Sequence, residues 1–209
     1  MGSSCKSEQR SGSCLECSTT AGHVSIQVFG PEDGPVILAL HGLSSACSII
    51  REWDSLAKSL AASGFRVLLP NFHSNSAVAP RLFGPTRVDP VLLQILQSFS
   101  PERQVVLMGK SWGGAVAAEF AAAHPALVKQ LVLVCPAMRV VKGKEKEAVI
   151  RKLRMPWLLL WAKDDWVTWY SSSQVFCDNC PRVSLMAVQC GGHRILPDYT
   201  GYVLNFLRD

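Results

Sequence analysis

One stretch decides most of what this chain can become. Residues 104–125 read QVVLMGKSWGGAVAAEFAAAHP. Val105–Met108 is an unbroken apolar run, the pattern of a strand buried on both faces of a sheet. It passes almost at once into an alanine-rich segment, which predicts a helix over Gly113–Ala123. A strand turned this tightly into a helix is half of a crossover, and crossovers build parallel sheets. The turn itself, Gly109-Lys110-Ser111-Trp112-Gly113, sets a serine two residues from a glycine on either side.

The alternation of strand and helix recurs along the chain. Val24–Phe29 alternates as a strand does, and "VILAL", Val36–Leu40, is a second continuous apolar run. Trp53, Leu56, Ala57 and Leu60 fall at helical spacing within Arg51–Ser63, and Gly64 ends that helix. A strand is predicted at Arg66–Leu69, then a helix at Asp89–Phe99 with Pro90 in its first turn. Further strands are predicted at Leu131–Val134, Pro156–Trp161 and Val183–Val188. Helices are predicted at Thr168–Cys177 and Pro197–Leu207. The expected fold is α/β, a mostly parallel central sheet with helices on both faces. Residues 1–22, rich in Ser, Cys and Thr, read as a flexible N-terminal tail, and residues 23–209 as one domain.

Composition narrows the partners. With 209 residues, 48% of them hydrophobic, the chain can bury a sizeable core. The net charge of +5 is modest, and basic residues are not interleaved with aromatic ones, so no nucleic acid is expected. No apolar run approaches the roughly 20 residues needed to span a bilayer, and no signal-peptide core is present. The cytosol is the expected compartment, where the 8 cysteines stay reduced. Cys14/Cys17 and Cys177/Cys180 have C-x-x-C spacing but no histidine pair nearby, so packed or tail thiols are expected and no metal or cofactor. Gly2 and Cys5 suggest an acylated N-terminus, although Lys6 stands where the myristoylation pattern has Ser or Thr. Lipid anchoring there and an inert tail are the two readings.

The serine turn carries the chemistry. A tight strand-to-helix turn strains the serine backbone and projects its hydroxyl into a cleft at the carboxyl end of the sheet. The residues two before and two after it come so close that small side chains are required. Unpaired N–H groups at the helix start favour a developing negative charge. Such a serine needs a base, held in turn by an acid, and both follow it in chain order. Of the five histidines, His23, His41, His73 and His124 precede or closely follow the serine. Only His193, in "QCGGHRILPD", lies well downstream, directly after a predicted strand. The acid should follow "WLLLW", where "AKDDWV" offers Asp164 and Asp165; the one not used reads as a solvated loop residue. Two amides are expected to form an oxyanion hole: that of Trp112, and that of Leu43 in the "HGLSS" loop after "VILAL". His41 then reads as a structural hydrogen-bonding residue.

At these residues, "LHGL", "GKSWGG", "WAKDDWV" and "GGHRILPD" in that order across residues 36–209, the chain resembles the α/β-hydrolase superfamily. The resemblance aligns Asp165 with the acid, although Ala162-Lys163-Asp164-Asp165-Trp166 replaces the common Gly-x-x-Asp-Pro segment. Members usually insert a cap domain after the strand that follows the nucleophile helix. Here only Cys135–Met155 separates two predicted strands, so the chain is similar to the small cap-less branch, the α/β-hydrolase-domain proteins of the fourteen type. The Asp-x-x-Gly-x-Gly-x-Ser loop common after the next strand is replaced by "NFHSNS". The resemblance implies a serine hydrolase without cofactor that cleaves esters, thioesters or amides of a small-molecule or acylated substrate. Ser111, His193 and Asp165 would be the triad. Phe72, Trp112, Trp166 and Trp169 are candidates for lining its pocket or packing its core. Two other readings remain: a non-catalytic interaction module, with the basic segment 139–154 as a docking or merely solvated face, and a thioesterase removing protein acyl groups.

Overall fold

The computed structural model describes residues 12–43, 46–75, 77–79, 88–101, 103–138, 145–180, 183–195 and 199–208. Among these, eight strands form a single sheet: β1 (Ser13–Thr19), β2 (Gly22–Phe29), β3 (Val36–Leu40), β4 (Arg66–Asn71), β5 (Val105–Lys110), β6 (Val128–Val134), β7 (Trp157–Ala162) and β8 (Val183–Val188). Their order across the sheet is β1-β2-β4-β3-β5-β6-β7-β8. β2 is antiparallel to both β1 and β4, and every pairing from β4 to β8 is parallel. The helices are α1 (Ala46–Ala62), α2 (Asp89–Phe99), α3 (Trp112–Ala123), α4 (Glu145–Lys152), α5 (Gln174–Asn179) and α6 (Thr200–Arg208).

The expected α/β fold is what the chain adopts, and the reason lies in its apolar runs. Every residue of β3, β5 and β7 is buried, as strands covered by helices on both faces must be. Successive residues of β5 show the two layers directly. Lys110 pairs with Glu52 of α1 in the interior. Its neighbour Gly109 faces α3, where a methyl group added to it would come within 2.8 Å of Ala117 Cβ. Side chains alternate across a strand, so α1 and α3 cover opposite faces.

The N-terminal expectation needs correction. Residues 13–19, assigned to a flexible tail, form β1 and pair residue for residue with β2 from Ser13↔Val28 to Thr19↔Gly22. Short Ser, Cys and Thr side chains give little hydrophobic signal, yet main-chain pairing and the burial of Cys17 are enough to order them. Residues 1–11, with the acylation pattern, lie outside the described residues. Cys14 and Cys17, three apart on one strand, point to opposite faces, the first exposed and the second buried. Cys180 is buried and accepts a hydrogen bond from Trp157 Nε1 at 3.3 Å.

Most elements differ from expectation by a few residues at their ends, and three differences have a clear physical reason. β6 starts at Val128, ahead of the predicted Leu131, because Lys129 breaks the apolar run while its neighbours stay buried. The helix predicted at Thr168–Cys177 is divided into a 3-10 turn, Tyr170–Ser173, and α5; three consecutive serines are weak helix formers. The basic segment holds α4, with Ile150 inside and Arg151 and Lys152 outside. Its described part is therefore a helix docked through Ile150 and solvated on its other face. No described helix is long and apolar enough to cross a membrane.

Candidate active site

Ser111 ends β5 with φ 53° and ψ −117°, a region L residues enter only when their surroundings force it. The forces are visible. Its amide donates to the Val134 carbonyl at 3.0 Å, and its carbonyl accepts from the amides of Ala115 at 3.1 Å and Ala137 at 2.8 Å. Gly109 and Gly113 make the turn possible: a Cβ on Gly109 would strike the Gly113 carbonyl, and one on Gly113 the carbonyls of Leu40 and His41. The loop after β3 passes equally close, since a Cβ on Gly42 would sit 3.2 Å from Ser111 Cβ. Leu43 follows in that loop, half-buried. Trp112 opens α3, where the first N–H groups have no partner within the helix.

Asp165 lies just past β7, buried, with both carboxylate oxygens occupied. Oδ1 accepts from the amides of Val167 at 2.8 Å and Thr168 at 2.9 Å. Oδ2 is 2.8 Å from the Thr168 hydroxyl and 2.8 Å from His193 Nδ1. Burial works against the negative charge, but the hydrogen bonds from His193 and Thr168 outweigh it and hold the carboxyl at about 2. His193 sits in the 3-10 turn Gly192–Arg194 after β8. Donation from Nδ1 to Asp165 fixes the tautomer and leaves Nε2 as the basic nitrogen.

Asp164 proves to be more than a solvated loop residue. Though exposed, it accepts hydrogen bonds from the amides of Gly192 at 2.8 Å and Gly191 at 3.2 Å. Two consecutive aspartates thus hold the histidine loop, Asp164 by its backbone and Asp165 by the imidazole. Thr168 escaped the sequence reading as well. Its signal was present: an aspartate followed two and three residues on by the amides it caps is an Asx turn.

The structure brings Asp165 and His193 into direct contact. Ser111 stands at the same end of the sheet, with β6 between it and β7. Its hydroxyl makes no hydrogen bond with another described residue. Cys135, just past β6, fills the middle ground. It is fully buried, with φ 35°, and its Sγ is 3.9 Å from the His193 carbonyl. Cys135 Sγ, an Asp165 oxygen and a His193 nitrogen lie within 4.8 Å of one another. Those donor types suit a soft divalent metal. However, the Asp165 oxygens already accept four hydrogen bonds, and burial pushes the thiol well above its usual range. A carboxylate-held imidazole of this kind can do acid–base work, and the thiol packs beside it.

His41 is held apart from that work. Its Nδ1 donates to the Gly42 carbonyl at 2.7 Å and its Nε2 accepts from the Phe72 amide at 3.0 Å. Burial lowers its pKa to about 4, against the opposing effect of the Gly42 bond, so the ring stays neutral and pins the loop after β3 to that after β4. Phe72 and Trp112 pack edge-on in the core with centroids 5.9 Å apart. Trp166 and Trp169 instead stand 79% and 70% exposed on either side of Thr168 and Val167. Trp169 borders a cavity of about 390 Å³ that also touches Ala137 and Thr168.

A mostly parallel sheet with a strained serine after its central strand, and an Asp–His pair at the same edge, defines the class of folds built around a nucleophile turn. The chain belongs to the alpha/beta hydrolase fold family, whose model matches residues 35–146, more than half of its length. It is 28% identical over 125 residues, 58% of this chain and 42% of the relative, to the AB hydrolase superfamily protein YfhM of Bacillus subtilis. It is 30% identical over 125 residues, 59% of this chain and 45% of the relative, to a pimeloyl-[acyl-carrier protein] methyl ester esterase of Pseudoalteromonas atlantica. The chain thus spans less than half the length of these curated relatives. Among solved structures, a CIB-like hydrolase from Thermoplasma acidophilum superposes with TM-score 0.78 at 18% identity, over 95% of this chain and 98% of that one. At that identity the likeness is one of fold.

Proposed function

We propose that the protein is a serine hydrolase that cleaves acyl esters or thioesters through an acyl-enzyme. Ser111 attacks the acyl carbonyl and its proton passes to His193 Nε2. Asp165 holds the imidazole in that tautomer and stabilises the imidazolium. The amides of Leu43 and Trp112 receive the charge that develops on the carbonyl oxygen. His193 then protonates the leaving group, and a water activated by the same nitrogen hydrolyses the acyl-enzyme. The observation that carries this reading is the 2.8 Å hydrogen bond between buried Asp165 and His193, at the sheet edge where Ser111 holds its forced backbone. The esterase relative supports acyl transfer as the chemistry.

A fluorophosphonate probe tests the assignment, since an activated serine displaces its fluoride and becomes phosphonylated. Wild-type protein should label, and Ser111→Ala should not. Equal labelling of the two would remove Ser111 from the reaction. Turnover of a simple aryl ester that disappears in His193→Ala would set aside the alternative of a non-catalytic module on a hydrolase scaffold.

A further inference from the structure

The cavity of about 390 Å³ lies between the segment that follows β6 and the loop that follows β7. Both walls are tied to the candidate active site. On one side is Ala137, whose amide holds the Ser111 carbonyl at 2.8 Å. On the other is Thr168, whose hydroxyl is 2.8 Å from the Asp165 carboxylate. The cavity falls at the small end of ligand pockets, which run from roughly 300 to 1,000 Å³. We propose that it binds the acyl part of the substrate and selects acyl chains that end in a carboxylate, with Lys146 as the counter-charge. The proposal rests on the serine-hydrolase reading and names the substrate class it would serve.

The lining makes the case. Met138 and Val175 offer an aliphatic wall for a methylene chain, and Ser171 and Ser172 offer hydroxyls beside it. Lys146, on α4, is half-buried and lines the same space. It forms no ion pair or hydrogen bond with another described residue. Two described acids are engaged elsewhere: Glu147 on the same helix pairs with Arg151 at 3.2 Å, and Asp178 on α5 accepts from Gln174 at 2.7 Å. No carboxylate is among the cavity's described lining residues. A half-buried ammonium with no partner among the described residues has lost part of its hydration, so an entering carboxylate gains more from it than from an exposed lysine. A neutral chain of equal length gains nothing from it, which is how a single charge sets specificity.

The test compares mono-4-nitrophenyl suberate with 4-nitrophenyl octanoate, two aryl esters alike except for the terminal carboxylate. In Lys146→Gln the charged-to-neutral ratio of kcat/KM should fall roughly tenfold, the size of a partly desolvated ion pair. Lys129→Gln removes the same charge at an exposed position of β6 away from the cavity and should leave the ratio as it is. An unchanged ratio in Lys146→Gln, or an equal fall in Lys129→Gln, overturns the proposal. Binding of free suberate and of 1,8-octanediol, measured by calorimetry, separates the subsite from the chemistry. If no ester is turned over and Ser111 does not label, the hydrolase reading fails while the subsite is judged on binding alone. Suberate should then bind wild type roughly tenfold more tightly than Lys146→Gln. Equal binding, or none, ends the idea.

Discussion

At the scale of single residues, two buried titratable groups set the response to acid. His41 has its pKa lowered from 6.5 to about 4 by burial, so the unfolded chain takes up a proton that the folded one refuses. Its contribution to stability is complete above the unfolded value of 6.5 and is lost as pH falls through that window to about 4. The loss amounts to about 3 kcal/mol. Asp165 is depressed from 3.8 to about 2, so its contribution is present above 3.8 and disappears only below it. Denaturant unfolding measured from pH 7.5 downward should therefore show a midpoint that falls first between pH 6.5 and 4; a flat profile there would mean that His41 is not held neutral. Asp165→Asn should leave the fold intact and lower kcat by about four powers of ten, because the imidazole loses its fixed tautomer. A loss under tenfold, read on any aryl ester that the wild type hydrolyses, would contradict that role. The strained turn at Ser111 and the place of His193 after β8 were legible in the sequence because turn chemistry and chain order confine them. Between Asp164 and Asp165 the residues alone left the choice open and only the family resemblance pointed to Asp165; the coordinates place that carboxylate against the ring.

At the scale of elements, the serine turn is tied to α1 by charge. Lys110 immediately precedes Ser111, and it pairs with Glu52 with side chains 3% and 8% exposed. A buried pair is costly to break from one side, because the partner is left charged without compensation. Lys110→Met should destabilise the protein by about 3–5 kcal/mol in urea unfolding, and Lys110→Met with Glu52→Leu should recover most of it. A double variant as unstable as the single one would mean that the pair does not act as a unit. This link between elements is invisible to hydrophobic periodicity: Glu52 reads as an ordinary polar helix position, and Lys110 as a turn residue. The strands buried on both faces were legible within two residues at either end: β3 matches its predicted bounds, and β5 and β7 differ only at their ends. Elements whose order comes from neighbours were harder. β1 has five exposed residues out of seven, and α4 keeps its place through Ile150 and the nearby Leu153 within a basic segment. Neither carries a hydrophobic pattern of its own.

At the scale of the whole molecule, the sheet order separates the candidate site from the N-terminal edge. β5 is the fifth strand of eight, and β1 is the outermost one on its side. β1 nevertheless covers a hazard. β2 buries Val24, Ile26 and Val28, and without β1 its backbone donors and acceptors would lie open along an apolar edge, a template for pairing with another chain. Deleting residues 1–20 removes that cover, the packing of Cys17, and the bond from the Thr20 amide to Gln94 Oε1 at 2.9 Å, which anchors the hairpin to α2. The expected loss is about 2–4 kcal/mol, from a few net hydrogen bonds and one buried side chain. The shortened protein should elute in size-exclusion chromatography as larger species that grow with concentration, while the monomer fraction still labels at Ser111, because β4 and β3 separate the new edge, β2, from the serine turn. A truncated chain that stays monomeric at all concentrations with an unshifted midpoint would show that β1 neither guards the edge nor supports the core. Loss of labelling in a folded monomer would show that the edge and the site are coupled through the sheet.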